Sequence, residues 1–184
     1  MVPPPLLVTY HPVTLEYERA EWQMGQLLDA IEVFDMPVVL TLPNADTNNC
    51  SVRAMIERYV ERNPTALLVE NFGIKGYFSM MSQCAAMVGN SSSGIIEAPS
   101  FRLPVVNIGT RQEGRIRGRN VIDVGYSSRD IIEGISRAIS EEFRESLKGM
   151  DNPYAKGNAA EIIVKTLEKI NLDGTLAMKR FVDL

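Results

Sequence analysis

Histidine and cysteine are scarce in this chain: of 184 residues, only His11 is a histidine and only Cys50 and Cys84 are cysteines. Two cysteines make no disulfide framework, and with no CxxC pair and no Cys/His cluster nothing suggests structural zinc. No apolar run reaches the roughly 18 residues of a membrane span. The opening MVPPPLLVTYH lacks the basic stretch and long apolar core of a secretory signal. Positive charge is not in excess either. The 19 Lys+Arg face 23 Asp+Glu, a net charge of −4 that gives no general attraction to a phosphate backbone, so nucleic acid is not an expected partner. Low-complexity segments and repeats of solenoid period are missing as well. What remains is an ordinary globular composition, 45% hydrophobic and 23% charged. At roughly 150 residues per domain the length corresponds to about one domain. A single soluble cytoplasmic domain over residues 1–184, without metal or cofactor, is the expectation.

Six short apolar runs punctuate the chain: Leu6 to Tyr10, Val38 to Leu42, Ala66 to Val69, Ala85 to Val88, Val105 to Ile108 and Val121 to Val124. Near-continuous hydrophobicity over such lengths fits strands buried on both faces, hence a parallel sheet. Between the runs lie helical stripes: Met24, Leu27, Leu28, Ile31 and Phe34, then Val52, Met55, Ile56, Tyr59 and Val60, then Ile131, Ile132, Ile135, Ala138 and Ile139. A further stripe after Pro153 carries Ala160, Ile163, Val164, Leu167 and Ile170. Strands alternating with helices predict right-handed crossovers and a doubly wound, Rossmann-like α/β sheet. The loops leaving the strand ends are polar or glycine-rich, and ligands of open α/β sheets bind at that edge.

The strongest local signal is GNSSSGIIEAPS, residues 89 to 100. A strand ends, three serines and two glycines follow, and a short helix begins. Free amides at a helix start, small side chains and hydroxyl donors together suit an anion. An ordinary serine cap is the competing account. Glu97 as a capping-box partner of Gly94 is a weak one, because glycine has no side chain to complete the reciprocal bond. A carboxylate one turn beyond a phosphate can instead accept from ribose hydroxyls. Standard nucleotide motifs are absent. No GxGxxG follows the first strand, and Gly109 to Arg115 spells GxxxxGR without the lysine and Ser/Thr of a P-loop.

Other candidates each carry two readings. His11 ends the first strand and is either a structural histidine or a phosphate donor and proton carrier. Arg111, Arg115, Arg117 and Arg119 form either a solvated loop or a diphosphate clamp, with Arg111 nearest the strand end. Phe72 and Tyr77 are packing residues or a stacking surface for a base. Asn44 and Asp46 make a turn or touch substrate. Cys50 and Cys84 are assigned to packing or surface.

In this order, LLVTYHPVT, LPNADTN, GNSSSGIIEAP and PVVNIGTRQEGR resemble the carboxy-terminal half of UDP-N-acetylglucosamine 2-epimerases, and NPYAKGNAAEIIVKTLE resembles the hydrolysing branch that makes N-acetylmannosamine. The resemblance spans nearly the whole chain. It implies one half of a GT-B-type two-domain enzyme, with UDP-N-acetylglucosamine or UDP as ligand and an amino-terminal half, outside this sequence, carrying the acid/base carboxylates. By the same resemblance Ser91 and Ser92 contact the diphosphate, Glu97 the ribose hydroxyls, and Arg111 the phosphates. Tyr77 faces the uracil, Phe72 meets the base through its backbone, and His11 assists the leaving group. Asn44 and Asp46 match the family pattern with a less defined role. Non-hydrolysing relatives tend to carry glycines where Ser92 and Ser93 stand, so the serines favour the hydrolysing branch. The competing functions are the donor domain of a GT-B glycosyltransferase and a nucleotide-sugar-binding module without chemistry. The segment Thr175 to Leu184 is expected to form a terminal helix, with a surface open to self-association into a homo-oligomer.

Overall fold

The computed structural model describes residues 3–43, 49–155 and 157–173. Asn44, Asp46 and the expected terminal helix over Thr175 to Leu184 lie outside the described residues. The chain divides into two compact units, Met1–Tyr154 and Ala155–Leu184.

The first unit holds six strands: β1 (Leu6–Thr9), β2 (Val38–Thr41), β3 (Ala66–Val69), β4 (Ala86–Gly89), β5 (Val105–Ile108) and β6 (Val121–Val124). All are paired in parallel, in the order β3-β2-β1-β4-β5-β6. The apolar runs read as strands for a physical reason visible in β1. Leu6 and Val8 enter one core while Leu7 enters the other, and all three are essentially unexposed. A strand with both faces covered has no polar side to alternate with.

The core on the Leu6 face is closed by α1 (Ala20–Glu32), α2 (Asn49–Arg62) and α5 (Ser128–Ile139). The Leu7 face is covered by α3 (Gly73–Gln83) and the turn of 3-10 helix at Ala98–Phe101, which pack Met81 and Ala98 against Val39, Met87 and Val105. Helix α5 shows how these contacts are specified. Ser127 caps it by accepting from the Asp130 amide, and Ile131, Ile135 and Ala138 face inward at helical spacing. Gly134 lets the helix sit close to the sheet, since a Cβ there would lie 2.8 Å from Val124 Cγ1.

Two short helices, α4 (Ser93–Ile96) and α6 (Glu141–Ser146), complete this unit. Between β5 and β6 the chain runs through turns alone. In the second unit α7 (Ala159–Leu167) carries Ala160, Ile163, Val164 and Leu167 of the stripe read after Pro153, with Ile163 and Leu167 both exposed, and ends before Ile170.

Candidate functional site

The order β3-β2-β1-β4 reverses the chain's direction of travel between β1 and β4, so the loops leaving these neighbours part to opposite faces and open a crevice. A cleft of about 670 Å³ lies there. Thr9 and His11 from the end of β1, Thr41 from β2, Phe72 and Tyr77 from the start of α3, and Ser91, Ser93 and Glu97 from the segment after β4 all line it.

The seam beneath the cleft is unusually close. Gly89 adopts φ 137°, and a Cβ there would collide with the Thr9 carbonyl. Only glycine lets β4 end against β1 in this way. One residue on, the Asn90 amide donates to the Thr9 carbonyl at 3.1 Å. The Asn90 side chain then accepts from the His11 amide at 2.7 Å and donates to the His11 carbonyl at 2.8 Å. From the other side Arg111 Nη1 and Gln112 Nε2 donate to the Asn90 carbonyl at 3.2 and 2.7 Å.

Across the floor Thr41 donates to Thr9 at 2.9 Å, and the Thr9 hydroxyl meets the Tyr77 phenol at 3.3 Å. Burial pushes the Tyr77 phenol above its ordinary range, so it stays protonated at neutral pH and offers a donor. Its ring packs at 6.1 Å from Phe72, tilted by 46°.

The serine segment differs in detail from the sequence reading. Helix α4 is a single turn begun by Ser92, not Gly94, and has too few aligned peptides for a substantial dipole. Its first amides are already engaged: Ser93 donates to Ser91 Oγ, Gly94 to the Ser91 carbonyl, and Ile95 to the Ser92 carbonyl. The anion-binding capacity of this segment therefore rests on hydroxyls more than on free helix amides. Ser91 and Ser93 line the cleft, whereas Ser92 serves as the cap residue. Gly94 is instead a packing position, where a Cβ would come within 2.8 Å of Val105 Cγ1. Glu97 lines the cleft with one carboxylate oxygen, Oε2, buried and without a hydrogen-bond partner. Such an orphan is costly unless a ligand supplies the donor.

Arg111 borders a second, smaller hollow of about 340 Å³ with Val13, Glu16 and Thr110. Glu16 accepts from Gln23 at 2.6 Å and from Thr110 at 2.7 Å. Partial burial pushes its carboxyl up, but the bonds from Thr110, Tyr126 and Gln23 outweigh that and hold it below the usual carboxylate range. Of the other arginines in the loop, Arg117 is paired with Asp123 at 2.7 Å, while Arg115 and Arg119 are exposed. Cys84 is buried and Cys50 exposed. Among the described residues, no group of three or more His, Cys, Asp or Glu could hold a metal ion, and no helix is long and apolar enough to cross a membrane.

The structure thus gathers His11, Phe72, Tyr77, Ser91 and Glu97 in one cleft; Ser92 and Arg111 do not line it, Ser92 being the cap of α4 and Arg111 bordering the smaller hollow. Sequence reasoning missed Thr9, Thr41, Ser93, Asn90 and Gln112. Thr9 and Thr41 stand at strand ends, a position that could have flagged them. Nothing local marks Asn90 or Gln112, whose partners come from other strands.

A six-stranded parallel sheet with helices on both faces and a cleft at its reversal point defines a Rossmann-like α/β domain of the kind found in GT-B epimerases and glycosyltransferases. Residues 3–168 match the family model for UDP-N-acetylglucosamine 2-epimerase, and the chain belongs to that family. It is 38% identical over 181 residues to a GDP/UDP-N,N'-diacetylbacillosamine 2-epimerase (hydrolyzing) of Campylobacter jejuni, covering 97% of this chain and 46% of that protein. It is 32% identical to a UDP-N,N'-diacetylbacillosamine 2-epimerase (hydrolyzing) of Legionella pneumophila, covering 94% of this chain and 45% of that protein. The fold is similar, at TM-score 0.64 and 25% identity, to UDP-GlcNAc 2-epimerase from Neisseria meningitidis bound to UDP-GlcNAc, over 92% of this chain and 45% of the other. The chain spans about half the length of the curated relatives it matches.

Proposed function

We propose that this chain supplies the UDP-holding half of the site in a hydrolysing 2-epimerase acting on a UDP-linked 2-acetamido sugar, UDP-N-acetylglucosamine being the reference substrate. The observation that carries this reading is the cleft at the β1–β4 reversal, where Glu97 keeps a buried carboxylate oxygen without a partner beside hydroxyls and an aromatic pair. Glu97 receives the ribose hydroxyls, Ser91 and Ser93 the diphosphate, and Tyr77 and Phe72 the uracil. Arg111 adds positive charge at the phosphate side.

The reaction breaks the anomeric C–O bond and the C2–H bond, releasing UDP and a glycal-type intermediate. Water then adds to C1, and C2 takes a proton on the opposite face. The residues of this chain act on the first step. Hydroxyl and guanidinium donors fixed near the departing diphosphate stabilise charge as it develops, and His11 donates on the same side. Removal of the C2 proton and hydration fall to carboxylates of the amino-terminal half in this reading. Calorimetric titration of the chain with UDP, uridine and NAD tests the binding part. UDP well above uridine, with no response to NAD, supports it, and a chain indifferent to UDP overturns it. For the two-domain protein, free N-acetylmannosamine is the expected product from UDP-N-acetylglucosamine. Sugar transfer to an acceptor would show a glycosyltransferase instead.

A further inference from the structure

The last backbone pair of the β1–β4 ladder is Thr9 with Gly89, and beyond it the two loops diverge. Strand pairing thus ends before His11, whose amide and carbonyl lie at a buried position beside the cleft. Both groups are nevertheless bonded, because the Asn90 carboxamide presents one acceptor and one donor, as a peptide group does. The Asn90 side chain therefore extends the ladder by a further rung. It bonds the His11 backbone as a neighbouring strand would. The backbone carbonyl of the same residue takes both the Arg111 guanidinium and the Gln112 carboxamide. Asn90 is itself wholly buried, and its amide is spent on the Thr9 carbonyl.

We propose that Asn90 is a positioning residue that fixes His11 and Arg111 in one frame, so that the leaving-group histidine and the phosphate-side arginine keep a constant separation. The inference rests on the UDP reading above. A carboxamide of this length is required. Aspartate, when ionised, accepts only and would face the His11 carbonyl with a second oxygen. Alanine removes both side-chain bonds to the buried His11 backbone. A residue that only filled the core would be indifferent to which part of the ligand is offered. A residue acting through His11 and Arg111 must affect the diphosphate and spare the nucleoside.

The test is a double-mutant cycle on this chain, with UDP and uridine as probes. Asn90→Asp is expected to weaken UDP about tenfold, the equivalent of 1.4 kcal/mol, and uridine by less than about twofold. In a His11→Ala background the same change is expected to cost clearly less, because the ring that the Asn90 side chain positions is gone. His11 is the sole histidine, so its ring gives one set of proton NMR signals, and these should shift in Asn90→Asp. Equal losses for UDP and uridine, additive losses in the cycle, or an unmoved His11 signal would each overturn the inference. Should Asn90→Asp fail to fold, Gln112→Met serves in its place. It removes one donor from the Asn90 carbonyl and should show a smaller loss with the same preference for UDP over uridine, and no such preference defeats the proposal. If the unaltered chain ignores UDP, the functional reading falls and takes this inference with it. If the chain binds UDP but the cycle is additive, only the role of Asn90 falls.

Discussion

The Tyr77 phenol on α3 and the Thr9 hydroxyl on β1 meet at 3.3 Å across the cleft floor, 68 positions apart in sequence. Because Thr41 already donates to Thr9, the Thr9 proton is available to Tyr77, and three elements are joined by a chain of hydroxyls. Tyr77→Phe keeps the ring against Phe72 and removes only the hydroxyl. The expected outcome is a chain with an undiminished aromatic pair and a stability lower by about 1 kcal/mol. Urea denaturation of the two proteins checks this, and equal midpoints would show that the phenol contributes nothing.

Glu97→Ala should weaken UDP binding by roughly 1–3 kcal/mol, the range for a charged hydrogen-bonding group. The sharper readout is 2′-deoxy-UDP. If Glu97 holds the ribose, the preference for UDP over its deoxy analogue should shrink in the variant. Calorimetry with both ligands decides it, and an unchanged preference places Glu97 elsewhere.

Arg111→Ala should weaken UDP more than uridine, since a guanidinium at the phosphate side has nothing to do for a nucleoside. Raised salt should narrow the gap between the unaltered and variant chains. Equal losses for the two ligands would dismiss a phosphate role.

Gly94→Ala is a test of packing rather than of binding. The added methyl would meet Val105 Cγ1 at 2.8 Å, and a β-branched side chain has little freedom to retreat. Destabilisation of about 1–3 kcal/mol is expected, as for other overpacked cores. A melting temperature equal to that of the unaltered chain would mean that α4 shifts freely.

Glu16 predicts a pH dependence. Its carboxyl titrates below the usual range when folded, so the folded chain binds its proton less readily than the unfolded chain does. That stabilisation is complete above the ordinary glutamate pKa and is lost as pH falls through the lowered folded value. Glu16→Gln should therefore flatten the acid limb of the stability curve. An identical acid limb in the variant would assign the loss to other carboxylates.

Strands β1, β2, β4 and β5 were legible because burial on both faces leaves an uninterrupted apolar run, as in Leu6, Leu7 and Val8, whereas the edge strands β3 and β6 were legible from short apolar runs that leave Leu67 and Asp123 exposed. Helices α1, α2 and α5 were legible because each turns one stripe to the core. Helix α3 gave a fainter pattern: Ile74 and Phe78 are exposed, and Met81 alone is fully buried. The cleft was legible as a set of loops at one sheet edge. Its internal bonding was not, because it depends on which strands become neighbours. Asn90 reads as one more polar residue in a loop until β4 is placed beside β1. Ser93 is indistinguishable from Ser92 until the first turn of α4 fixes which hydroxyl faces the cleft.

The pairing of β1 with β4 has a consequence for how the site comes into being. His11 and Asn90 stand 79 positions apart, so their two bonds close only after β2, β3 and α3 have been made. As these residues leave a ribosome, β1, β2, β3 and α3 can associate while the wall that carries Ser91 and Glu97 does not yet exist. The cleft is thus completed in one late event, at the closure of the sheet's midline, and a nascent chain halted before Gly89 has the aromatic wall without the hydroxyls and carboxylate that face it.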